Sequence, residues 1–159
     1  MYLDGYCYIL CADGYIEAAV QEARTVLSGM GWPPVLLGLK AGWIRGAAGG
    51  RVAAEVLISQ MAGKEGERPL PDGLLLAGGA ACGQFMLADP RVHLLVQHML
   101  AAARPVALLR PAYYPLFDLL QKRSGGSPIL WQESQTIVGF VNVFVQGFYE
   151  SGQEREPLP

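Results

Sequence analysis

A chain of 159 residues suits one domain built on one core. Apolar residues make up 52% and charged residues 16%, and the hydrophobic runs are too short and interrupted to span a bilayer, which excludes a membrane partner. The 12 basic and 14 acidic residues leave a net charge of −2 with no basic stripe on any expected element, so nucleic acid is excluded as the main partner. Residues 5–11 (Gly-Tyr-Cys-Tyr-Ile-Leu-Cys) favour strand and run into Ala12-Asp13-Gly14, a turn signal, which predicts a central first strand. From Ile16 the apolar and small positions 16, 19, 20, 23, 26, 27 and 30 form a helical stripe that stops at Gly29 and Gly31. Residues 35–39 are a second apolar run, and a return after a helix predicts a βαβ unit with a parallel partner for the first strand.

The glycine-rich residues 40–50 and the β-prone residues 52–59 read as an irregular hairpin, and the polar residues 61–72 as a surface connection. Residues 73–77 form a buried-strand candidate that enters Gly78-Gly79-Ala80-Ala81-Cys82-Gly83, read as a loop in which glycine permits unusual backbone angles and close ligand approach. Asp89-Pro90 has the form of an N-cap followed by proline at the first helical position, and Val92, Leu95, Val96, Met99 and Ala103 mark that helix's inward face. The short apolar run Pro105-Val106-Ala107-Leu108-Leu109 then ends in Arg110-Pro111, the kind of strand end where an open α/β sheet binds ligands at its switch point. A helix over residues 114–123, a loop at 124–127, a last strand at 128–132 and a final amphipathic helix carrying Ile137, Phe140, Val141, Phe144, Val145 and Phe148 complete the chain. Residues 1–152 are thus expected as a single domain and residues 153–159 as a flexible tail. The alternation implies an α/β protein, a three-layer flavodoxin-like sandwich with a mainly parallel sheet.

Cys7, Cys11 and Cys82 are an odd set without metal-ligand spacing, which argues against a disulfide framework. His93 and His98 lie five apart on one helix, off the spacing that brings two ligands together, so packing roles are expected and no metal site. Met1-Tyr2-Leu3-Asp4 shows no signal-peptide pattern, and a cytoplasmic protein is expected.

Between Leu74 and Leu116 the sequence resembles the ThiJ/PfpI superfamily, whose domains are related to class I glutamine amidotransferases. The family pattern is a strand ending in Gly-Gly, a helix, a Gly/Arg-Pro-Val-Ala stretch, and a nucleophile elbow written A-I-C-H-G-P-x-x-L. Here Leu74-Leu75-Leu76-Ala77-Gly78-Gly79, residues 92–103, Arg104-Pro105-Val106-Ala107 and Leu108-Leu109-Arg110-Pro111-Ala112-Tyr113-Tyr114-Pro115-Leu116 stand in those places, and Ala12-Asp13-Gly14-Tyr15 resembles the first turn. The resemblance puts Arg110 at the nucleophilic cysteine, and a guanidinium cannot attack a carbonyl. It puts Pro111, which lacks an N–H, where an elbow enzyme takes an oxyanion donor. The family's acidic partner falls near Ala19, with Glu17 two positions earlier and not a replacement.

These substitutions imply a degenerate, non-enzymatic protein that binds a small ligand or acts as a scaffold. Gly78 and Gly79 are candidates for holding an anion through main-chain N–H groups, Arg110 for pairing with a carboxylate or phosphate or with Asp13, and Tyr113 for lining the same place. The alternative is a thiol-dependent hydrolase or glyoxalase-like enzyme with Cys82 as a displaced nucleophile, its pKa lowered by Arg110. No cofactor is expected. The final helix, with phenylalanines at 140, 144 and 148, reads as core plus a self-association surface rather than a cofactor box, hence a homodimer.

Overall fold

A computed structural model describes residues 6–61, 69–124 and 129–155, with side chains through Phe148. Strand β1 (Cys7–Cys11) is buried at every position, and its neighbours β2 (Pro34–Gly38) and β6 (Gly73–Leu76) run parallel to it. Such near-continuous apolar runs are what a strand covered on both faces requires. Strands β5 (Val56–Leu57), β7 (Val106–Leu108) and β8 (Leu130–Trp131) extend the sheet in the order β5-β2-β1-β6-β7-β8, all parallel. A separate antiparallel hairpin, β3 (Trp43–Arg45) and β4 (Arg51–Ala53), stands outside this sheet.

Helix α1 (Glu17–Gly29) packs with the last helix, α5 (Ile137–Arg155), on one face. Helix α3 (Pro90–Ala101) lies against β6 and β7, and α2 (Ala80–Ala88) contacts both α3 and α4 (Tyr114–Lys122), forming the second helical layer. The three-layer α/β sandwich with a mainly parallel sheet is therefore realised. The expected cap of α3 is present: the Asp89 carboxylate accepts from the Arg91 N–H at 2.9 Å, with Pro90 in the first turn.

Four expectations change. Residues 52–59 are not one strand, because β4 closes the hairpin and β5 turns away to add the sheet's edge beside β2. Residues 80–83 are helix rather than loop, so Cys82 and Gly83 belong to α2. The strand order reverses between β1 and β6, which moves the topological switch point one strand away from β7. Helix α5 continues to Arg155, so residues 153–155 are helical rather than tail, and 156–159 lie outside the described residues. Parts of the expected connections at 61–72 and 124–127 also lie outside them.

Candidate functional site

Three strand-to-helix turns meet at the carboxyl end of the sheet: residues 12–16 after β1, Gly78-Gly79 after β6, and residues 109–113 after β7. Their approach is main chain against main chain. Gly79 has φ +116° and donates its N–H to the Pro111 carbonyl at 2.9 Å, while Ile16 N–H donates to the Gly78 carbonyl at 3.2 Å. A Cβ on Gly78 would stand 2.7 Å from the Arg110 carbonyl oxygen and 2.8 Å from that of Leu109; one on Gly79 would stand 2.6 Å from the Gly14 carbonyl oxygen. A Cβ on Gly83 would collide with the Tyr113 side chain. The glycines therefore serve close packing of the chain on itself, with carbonyl oxygens rather than free donors facing Gly78.

Arg110 is exposed and joined to Pro111 by a cis peptide bond. Its N–H donates to Gln132 Oε1 at 2.9 Å, and its Nη1 donates to the Glu133 carbonyl at 2.9 Å. Gln132, only 3% exposed, completes the clamp by donating Nε2 to the Gln135 carbonyl at 2.9 Å. Sequence reasoning missed Gln132 and Glu133; the available signal was a polar pair at the end of the last expected strand, level with the Arg110 turn. Asp13 is not Arg110's partner. Its carboxylate accepts from the Arg45 N–H at 3.0 Å and from Lys40 Nζ at 3.3 Å, and the main-chain donation is the chief reason its pKa lies below the ordinary range.

The structure brings Gly78, Gly79 and the Arg110-Pro111 main chain into contact, with Tyr113 packed on Gly83. It turns Cys82 away into the core. The Cys82 thiol is buried, lies 3.8 Å from the Ala77 carbonyl and has a pKa pushed up to about 12, mainly by desolvation. A hydrogen bond with the Ala12 main chain opposes the rise and the Asp13 charge adds to it, whereas Arg110 does not contribute. Cys7 and Cys11 are buried too, and desolvation likewise raises both thiols. Glu17 acts away from this turn. Its carboxylate accepts from the Ala48 and Gly50 N–H groups at 2.8–3.0 Å, tying α1 to the tip of the β3–β4 hairpin. His93 donates its Nε2–H to the Leu87 carbonyl at 2.8 Å, in a packing role. Phe140, Phe144 and Phe148 are core residues, as expected of the inward face of α5, and the large apolar residues exposed on its described part are Val138 and Val143.

The architecture matches solved structures over nearly its whole length. A DJ-1 superfamily protein from Salmonella typhimurium aligns with a TM-score of 0.67 at 15% identity, covering 97% of this chain and 100% of that one. Drosophila melanogaster DJ-1beta aligns at 0.69 and 13%, covering 96% and 97%. The chain has the fold of the DJ-1/ThiJ/PfpI superfamily. A ThiJ/PfpI domain protein from Brachyspira murdochii adds a third match at 0.66 and 16% identity, covering 92% of this chain and 96% of that one. No protein-family profile matches the sequence, and no curated protein does. No helix among the described residues is long and apolar enough to cross a membrane, and no three of their His, Cys, Asp or Glu side chains cluster to hold a metal.

Proposed function

We propose that this DJ-1/ThiJ/PfpI-like chain is a non-enzymatic binding or scaffolding protein of the cytoplasm. One observation carries the reading: two successive residues of the β7–α4 turn offer no main-chain donor for an oxyanion. The Arg110 N–H is taken by Gln132, Pro111 has none, and the Pro111 carbonyl points at Gly79 instead. The raised, buried thiol of Cys82 supports the same side, because a thiol is nucleophilic as its thiolate. A small anionic ligand fits the exposed guanidinium of Arg110, which keeps further N–H donors beyond the one given to Glu133; Tyr113, three residues on, would line the same place. Gly78 and Gly79 then act by letting the turns close around that arginine rather than as a nest of free N–H groups. A homodimer belongs to this reading, with sedimentation equilibrium as its check.

The decisive measurement pairs two assays on purified protein. Glyoxalase, deglycase and peptidase substrates are expected to give no turnover, and titration with inorganic phosphate or acetate is expected to show weak binding lost in Arg110→Ala. Turnover that disappears in Cys82→Ala would overturn the reading in favour of a displaced thiol nucleophile.

A further inference from the structure

Helix α4 is held to the protein by Leu116 and Leu120, its buried residues, and Tyr114 and Phe117 lie together on the flank of that face. Both meet Trp131 of β8, the edge strand of the sheet. The Phe117 and Trp131 rings are stacked, with centres 4.5 Å apart and planes 13° from parallel. Tyr114 stands 6.2 Å from each, tilted by 46° to Phe117 and by 58° to Trp131, and is 58% exposed. At these spacings aromatic rings attract one another. The three rings make a step, a half-buried stack with a tilted, solvent-facing ring beside it.

The same two stretches of chain carry Arg110. It stands one helical turn before Tyr114, and its Nη1 donates to the Glu133 carbonyl at 2.9 Å, just beyond Trp131. The chain from Trp131 to Glu133 reaches at most about 7 Å, so the guanidinium is fixed close to the strand end that bears the tryptophan. Between them Gln132 draws turn and strand end together, accepting from the Arg110 N–H and donating to the Gln135 carbonyl. Arg110 takes part in none of the ion pairs among the described residues. Beyond the bond to Glu133 its guanidinium keeps donors in a planar fork of the shape that a carboxylate accepts.

An anion of acetate or phosphate type uses the guanidinium and leaves the step idle. A neutral aromatic molecule uses the step and leaves the guanidinium idle, and a cationic one is repelled by it. A planar ring that carries a carboxylate uses both at once. Ligand sites in general are built this way, from apolar and aromatic walls with a few placed polar groups. Tyr114 contributes most to such a contact, because a ring laid against it buries surface that the fold leaves in water.

We propose that the anion taken by Arg110 is a small aromatic carboxylate, its carboxylate on the guanidinium and its ring against Tyr114 and Trp131. The inference rests on the reading of Arg110 as an anion site and narrows the chemical class of the ligand. Phe117, stacked on Trp131, holds that ring in place.

The full chain, isotope-labelled for NMR and titrated with acetate, benzoate and benzamide, tests it through the indole N–H signals of its tryptophans. Benzoate is expected to bind about tenfold more tightly than acetate, the scale of one favourable ring contact. It is also expected to shift the Trp131 signal, which is identified by its loss in Trp131→Phe. Tyr114 is exposed and outside the core, so Tyr114→Ala keeps the fold and is expected to bring benzoate down to the affinity of acetate. Arg110→Ala is expected to lose both anions. Equal affinities for acetate and benzoate in the unaltered protein overturn this inference and leave the anion site standing, whereas binding of neither overturns both. Benzamide binding as tightly as benzoate overturns it too, because the ring is then held without Arg110. So does a benzoate shift confined to Trp32 or Trp43, which puts the ring away from the step.

Discussion

Cysteine is the residue on which an enzymatic reading of this chain would depend, and none of the three thiols is poised for chemistry. Each is buried, and desolvation dominates each rise in pKa, to about 12 for Cys82. At neutral pH the native protein is therefore expected to release no thiol signal with a disulfide reagent such as Ellman's, and all three thiols only on denaturation. Fast labelling of one thiol in the folded protein would contradict this. The same shifts set a pH dependence. The folded state holds the thiol protons more tightly than the unfolded chain, so their contribution is complete below the ordinary thiol pKa of ~8.5 and is lost as pH rises above it toward about 12. Urea midpoints should fall across that alkaline window, and fall less in Cys82→Ala. Glu17 is legible in the sequence as an acid in the first turn of a helix, but its partners are not: Ala48 and Gly50 are some thirty residues away, and only the hairpin's fold brings their N–H groups to it.

Elements with a clear period are legible in the sequence alone. The stripe of α1, the apolar runs of β1, β2, β6 and β7, and the Asp89-Pro90 start of α3 each follow from a local rule, and each is present. Helix α2 is not legible there, for a physical reason: it follows two glycines, contains a third, and shows no polar stripe because its exposed face carries Ala80, Ala81 and Phe85. Of these glycines only Gly79 needs its positive φ; Gly83 is present because Tyr113 occupies the space of a side chain. At this scale the turn after β6 is the sharpest test. A methyl group on Gly78 meets the main chain of Arg110 and Leu109, which cannot move without breaking the bonds to Gln132 and Leu76. Gly78→Ala is expected to lower stability by about 1–3 kcal/mol, the usual cost of overpacking, read as a fall in the urea midpoint at unchanged slope. No change would mean that the three turns are looser than their contacts imply.

For the whole molecule, the reversal of strand order between β1 and β6 decides what each helix must do. Crossovers on either side of the reversal send α1 to one face and α2, α3 and α4 to the other, leaving the first face short of cover over β6. The chain's last helix fills that gap. Phe144 and Phe148 press on Gly73 at the start of β6, where a side chain would collide with the Phe148 ring, and Phe148 meets Trp32 edge-on with ring centres 4.7 Å apart. The two phenylalanines also meet edge to face at 4.8 Å. One helix thus joins the C-terminal part of the sequence to the βαβ unit that opens it, and the two halves should not unfold separately. Phe144, fully buried, is the point at which to test that coupling. Phe144→Ala is expected to cost about 3–5 kcal/mol and to lower the melting temperature in one cooperative step. Two resolved transitions, with the β7–β8 end melting apart from β1 and β2, would show instead that α5 covers the sheet without binding its halves into one unit.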